Sequence, residues 1–232
     1  MASARRAPAF KPQDFLQNLP LFRELGEAEL ARLGAATSQV RAPAGTILFR
    51  RGDLPGGFHV VAYGQVKLSL ATADGAEKVV EVIGPGMSFG EAVMLLERPY
   101  PVTAETLSDS LLVAVGKQAL FAELDRNPLL ARRMLAGLSI RVHRLMGDLE
   151  ALSLHSATQR VIGYILRDVP ESSGGVELRL TVAKGVIASS LNITREHFSR
   201  ILHELSAAGL IRVSGRNIHI VDPARLRSHG AA

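Results

Sequence analysis

The hydrophobic period of this chain changes along its length, and that change constrains the fold more than any single motif. From residue 38 to about 115, apolar residues fall in short runs at 46–49, 57–61, 65–72, 77–83, 102–106 and 110–115, broken by Gly, Pro and Asp. Such runs are the mark of strands. The Asp74-Gly75 pair between two of them is a hairpin signal. Regularly spaced short strands with Gly-containing turns predict an antiparallel β-barrel or jelly roll of roughly eight strands. Residues 11–36 read as helix in two pieces, with Phe15, Leu16 and Leu19 before Pro20, then Leu25, Leu30 and Leu33 after it, and a helix start at Gly26-Glu27.

The period then becomes helical from Asn127-Pro128 to about Leu154. Proline suits a first helical position. Leu135, Leu138, Val142, Leu145, Leu149 and Leu152 recur at alternating spacings of three and four. That apolar seam predicts a coiled coil between two copies, hence a homodimer. The competing reading is an amphipathic helix lying on its own domain, and Leu130 and Met134 on an adjacent face allow both contacts at once. His155-Ser156 interrupts the helix, with Ser156 placed to cap the next one. The expected organisation is a sensing domain over 11–126, a dimerisation helix and hinge over 127–155, and a third segment over 156–228.

That third segment begins with a helix over 158–169, a turn over 170–175 and a strand over 176–180. Residues 181–191 form a short helix on Val182, Val186, Ile187 and Leu191, and Asn192-Ile193-Thr194 makes a turn. A second helix over 195–208 turns Phe198, Ile201, Leu202 and Leu205 inward. Residues 210–213 and 217–220 flank Ser214-Gly215-Arg216 as a hairpin. Helix, short turn, helix and hairpin in this order define a winged helix-turn-helix, whose second helix enters the DNA major groove. The DNA contacts expected are Arg195, Glu196, Ser199 and Arg200 on that helix, with Arg212 and Arg216 on the wing. Arginine can donate to guanine O6 and N7, glutamate can accept from cytosine N4, and serine can bond a base edge or a phosphate. From residue 156 onward the chain carries ten Arg and Lys against six Asp and Glu, most of its formal +5 charge.

At 232 residues, 47% hydrophobic and 21% charged, the chain suits two folded domains. No apolar run reaches membrane-spanning length and MASARRAPAF is no secretory signal, so a cytoplasmic protein is expected. The absence of cysteine removes disulfides and cysteine-ligated iron-sulfur clusters. No nucleophile beside a base and no carboxylate pair points to an enzyme.

The stretches LPLFRELGEAELARL, AGTILFRRGD, GPGMSFGEAVML and ITREHFSRILHELSAAGLIRVSGRNIHI resemble the CRP/FNR superfamily of bacterial transcription regulators. That resemblance implies an α+β chain with a cyclic-nucleotide-binding-type antiparallel β-barrel (jelly roll), a long dimer helix and a C-terminal winged helix-turn-helix, acting with RNA polymerase. It also implies that Glu196, Ser199 and Arg200 read TTGAT-like half-sites of a palindrome. The effector pocket it implies is built from Gly90, Glu91, Leu95, Leu96, Leu130, Met134 and Leu138. In nucleotide-binding members an arginine and a small hydroxyl residue hold the cyclic phosphate; here Pro101 and Val102 stand in those places, which weakens a cyclic nucleotide reading. EKVVEVIGPGMSFGEAVMLLERP and LSIRVHRLMGDLEALSLHSATQRVIGYIL resemble the dissimilatory nitrate respiration regulators. That likeness implies haem as cofactor and nitric oxide as signal, with His59 and His143 as ligand candidates. The alternatives are a regulator that needs no small ligand, one that answers a cyclic nucleotide, and a nucleotide-binding module that does not bind DNA.

Overall fold

The computed structural model describes residues 16–17, 22, 25–71, 77–167, 169–170 and 175–231. It forms two compact units, Met1–Arg141 and Val142–Ala232. The Asp74-Gly75 hairpin signal lies outside the described residues, as do Phe15, Leu19 and Pro20 of the first helical stretch.

In the first unit the strands are β1 (Thr37–Ala42), β2 (Ile47–Phe49), β3 (Gly57–Tyr63), β4 (Val66–Ala71), β5 (Glu77–Ile83), β6 (Ser88–Phe89), β7 (Thr103–Thr106) and β8 (Ser110–Gly116). They make two separate four-stranded antiparallel sheets, in the orders β1-β8-β3-β6 and β2-β7-β4-β5. The expected barrel is therefore corrected to an open sandwich. Barrel closure needs one hydrogen-bond ladder running continuously around the sheet. Here, among the described residues, each sheet ends on two edge strands, and the chain passes from one sheet to the other at every connection between successive strands except β4–β5.

Strand alternation sorts the side chains of β3 and β8 into two cores. Phe58 and Val60, with Val113 and Val115, pack under a helical layer. Val61 and Leu112 point the other way, into the space between the sheets, with Phe49, Val66, Ile83, Phe89 and Tyr100. The helical layer is α1 (Glu27–Ala35), the short α2 (Glu91–Leu95), α3 (Lys117–Arg126) and the first half of α4 (Pro128–Leu154). It contributes Leu30, Leu33, Met94, Leu120, Leu130 and Met134. Arg32 of α1 grips Glu123 of α3 with two hydrogen bonds of 2.9 Å, and Glu123 is almost wholly buried. The side chain of Asn127 accepts from the N–H groups of Leu129 and Leu130 at 3.1 and 3.3 Å, which starts α4 where the Asn-Pro pair stands.

In the second unit, α5 (Ala157–Leu166) opens on a capping box: Gln159 N–H donates to Ser156 Oγ, and Ser156 N–H donates to Gln159 Oε1. Next come β9 (Val176–Arg179), α6 (Lys184–Ser190), α7 (Arg195–Ala207), β10 (Ile211–Ser214), β11 (Asn217–Ile220) and α8 (Pro223–Ala231). The three strands form one antiparallel sheet in the order β10-β11-β9. Val161, Ile165, Ile187, Phe198, Ile201, Leu205, Ile211, Ile218 and Leu226 are buried in this unit.

Candidate nucleic-acid interface

The presentation of α7 follows from its two ends. Thr194 Oγ1 caps the start by accepting from His197 N–H at 3.1 Å. The preceding turn places Asn192 at φ 57, a left-handed conformation that asparagine tolerates better than most residues. At the far end Gly209 takes φ 70, and its N–H and that of Leu210 return to the carbonyls of Ser206 and Leu205 at 3.0 Å each. This Schellman turn stops the helix and sends the chain into β10. Arg160 of α5 donates to the carbonyl of Leu191 at 3.0 Å, tying the turn between α6 and α7 to the body of the unit.

Phe198, Ile201, Leu202 and Leu205 are buried on one side of α7. Arg195, Glu196, Ser199 and Arg200 are all exposed on the helix. Among the described residues none of these four side chains makes a hydrogen bond or ion pair within the chain. The helix dipole adds positive potential at the same end. Arg212 and Arg216 are exposed on the hairpin of β10 and β11, whose two-residue turn has Gly215 at φ 59 in its first central place. The hairpin is braced behind by β9, with Leu180 N–H donating to the carbonyl of Arg216 at 2.8 Å.

Along α4, Leu135, Val142, Leu145 and Leu149 are 63%, 57%, 43% and 64% exposed, and Leu138 is half-buried. Ile140 and Met146 are exposed as well. The Leu152 side chain lies outside the described set. A large apolar stripe left in water on one helix is the pattern of a surface awaiting a partner.

The residues expected to form the effector pocket separate in the structure. Leu130 and Met134 are packed core, Leu95 is partly buried against them, and Leu96 is 65% exposed. Gly90 takes φ 91 at the start of α2 and sets Glu91 in a largely buried position. One oxygen of Glu91 accepts from Ser88 Oγ and from Arg141 of α4, both at 3.2 Å, while its other oxygen is buried without a partner among the described residues. Arg141 also donates to the carbonyl of Ser88 at 3.1 Å and forms a short charge-assisted bond to Glu81 of β5. Sequence reading missed both Arg141 and Glu81. An arginine beside an apolar seam reads as solvated, and its partners stand 50 and 60 residues earlier.

The haem expectation does not survive the geometry. Among the described residues no group of three or more His, Cys, Asp and Glu can hold a metal ion. His59 points between the sheets, its ring stacked on Phe89 at 5.2 Å and tilted against Phe49 at 6.2 Å, and His143 is exposed on α4. The His59 side chain is half-buried, with Nδ1 enclosed and unpartnered among the described residues, and this desolvation lowers its pKa from 6.5 to about 4. Over that window the unfolded chain binds a proton that the folded protein refuses. Acidification from pH 6.5 to 4 is thus expected to remove about 3 kcal/mol of stability through this one group. Urea melts across that range check this: His59→Phe should lose that part of the acid sensitivity, and an unaltered pH profile would refute it.

Compared with known proteins, residues 39–127 match the cyclic nucleotide-binding domain family and residues 159–229 the Crp-like helix-turn-helix domain family. The cyclic AMP receptor protein of Thermus thermophilus is 28% identical over 211 residues, which is 91% of this chain and 96% of that protein. The crystal structure of DNR from Pseudomonas aeruginosa is 36% identical and superposes with a TM-score of 0.51, with 93% of this chain and 96% of that chain covered. FixK2 from Bradyrhizobium japonicum, at 21% identity, shares the fold with a TM-score of 0.72 over 84% of this chain and 98% of its own. The chain belongs to the CRP/FNR superfamily of transcriptional regulators; it is a DNA-binding regulator and not an enzyme. The likeness to DNR stands beside comparable likenesses to CRP, FixK and CLP proteins, so the comparisons single out no subgroup. No helix among the described residues is long and apolar enough to cross a membrane.

Proposed function

We propose that two copies of this chain pair along α4 and bind an inverted repeat of TTGAT-like half-sites in duplex DNA, without needing a small-molecule effector. In this reading 11–126 senses or braces, 127–155 dimerises and 156–228 reads DNA, in concert with RNA polymerase. The observation that carries it is the exposed polar face of α7, where Arg195, Glu196, Ser199 and Arg200 have no partner among the described residues.

Glu196 and Arg200 are one helical turn apart and so share a face. A TTGAT half-site holds a single G·C pair. Glu196 accepts from the cytosine amino group and Arg200 donates to the guanine edge of that pair, while Ser199 and Arg195 serve a neighbouring base or phosphate. Arg212 and Arg216 on the wing neutralise backbone phosphates. The effector-free part of the reading is supported by Pro101 and Val102 in the places of the phosphate clamp, and by Arg141 lying across Glu91.

Glu196→Ala tests the base-reading role. In binding competitions, replacing the G·C pair is expected to cost the native protein about 1–3 kcal/mol per half-site and the variant much less. Undiminished discrimination by the variant would remove Glu196 from base reading. A second reading, response to a cyclic nucleotide, is favoured by the unpartnered oxygen of Glu91 and by the likeness to a cyclic AMP receptor protein.

A further inference from the structure

The first unit holds a polar cluster centred on Arg141. Arg141, in the middle of α4, reaches three separate pieces of the first unit. It meets the Glu81 carboxylate on β5, the carbonyl of Ser88 on β6, and the Glu91 carboxylate at the start of α2. The Arg141 side chain is about three-quarters buried, and the side chains of Glu81 and Glu91 more so. A planar fork with two parallel nitrogens suits this task, because it can hold two anionic acceptors in fixed directions.

We propose that Arg141 is the chain's own occupant of the effector cleft, and the positioning residue that fixes the rotational setting of α4 for operator binding. Val142 is its neighbour and Leu145 lies four residues on, so any roll of the helix that moves the guanidinium moves the exposed apolar stripe equally. Holding Arg141 therefore holds the azimuth at which one copy offers that stripe to the other. A diffusible effector would have to supply such contacts from solution. Here the group is tethered to the helix it positions, so its effective concentration is high and constant. Glu91, which otherwise has a free carboxylate to offer a ligand, is already committed through one of its two oxygens.

The inference rests on the effector-free reading and deepens it. The test is a double-mutant cycle in the full-length protein, with no nucleotide added, using Arg141→Met, Glu81→Gln and the pair together. The readout is affinity for the palindromic duplex by fluorescence anisotropy, alongside sedimentation and thermal melts. Each single change is expected to weaken binding about tenfold, the scale of an allosteric coupling. The double variant should lose no more than either single variant, because the two side chains act through one contact. Arg141→Lys should recover part of the loss, and α4 amides near residue 141 should exchange faster in Arg141→Met. Should Arg141→Met fail to fold, Glu81→Gln and Arg141→Lys carry the test. Near-native affinity in folded Arg141→Met or Glu81→Gln, or strictly additive losses, would overturn the role of Arg141 while leaving effector-free binding intact. A native protein that binds its palindrome only after cyclic AMP is added would overturn the effector-free reading itself, and this inference with it.

Discussion

Leu145→Asp is expected to abolish the proposed pairing of two copies along α4, and with it operator binding at concentrations where the native protein saturates its duplex. Leu145 sits within the exposed apolar stripe of α4, four residues from Leu149 and three from Val142. Pairing two copies along this stripe would bring two aspartates into an apolar seam. Burying a carboxylate without a partner costs several kcal/mol, and like charges across the seam add to that. A loss of about 4 kcal/mol raises the dimer dissociation constant roughly a thousandfold. Operator affinity falls with it, because one recognition helix alone forfeits the avidity of two linked half-sites, worth about a hundredfold or more. Sedimentation and anisotropy on the same samples check both steps. Since the residue is exposed in the single chain, the melt of each unit should move little. A variant that still sediments as a dimer would show that another surface pairs the copies.

Phe198→Ala carries the other large effect, and it acts on stability. Phe198 is wholly buried on the inner side of α7, one residue before the exposed Ser199. Removing its ring leaves a cavity under the recognition helix, at a cost of about 3–5 kcal/mol. That is a large part of what a unit of this size has to lose. The second unit should melt at much lower temperature, and specific DNA binding should fall because α7 is no longer held at a fixed angle. Ser199→Ala, next door but facing water, should leave the melt unchanged and alter only the DNA affinity. Equal thermal stability of Phe198→Ala and the native chain would contradict the packing described here.

The parts of this architecture that were legible in the sequence are those governed by local signals. α4 begins at Pro128 because Asn127 caps it, and the Asn-Pro pair can be read by eye. α7 spans Arg195–Ala207, one residue short of the expected end, because a threonine cap before it, an apolar period along it and a glycine stop after it are all local signals. Elements that depend on distant partners were not legible. β1 carries Thr, Ser, Gln and Arg, and β6 has two residues; each is a strand only because β8 or β3 lies beside it. α3 was missed because its apolar face is thin, and its buried Glu123 is satisfied by Arg32, 91 residues away. α8 was missed too, although Asp222 accepts from the N–H groups of Ala224 and Arg225 at its start. The division of eight strands into two sheets is equally non-local, so alternation gave the strands without the closure. His59 entered as a ligand candidate only through the family likeness; its stacking on Phe89 and Phe49 between the sheets depends on strand partners that no local signal in the sequence shows.

Direct titration of the purified protein, with no effector present, tests the central claim most simply. Fluorescence anisotropy would compare a duplex carrying inverted TTGAT-like half-sites with a scrambled duplex of the same length and composition, over a series of salt concentrations. The account predicts one dimer per palindrome, affinity for it about a thousandfold or more above the scrambled duplex, and a steep fall of both with salt. Equal affinity for the two duplexes at every salt concentration would contradict it, because the exposed face of α7 would then be reading charge and no sequence.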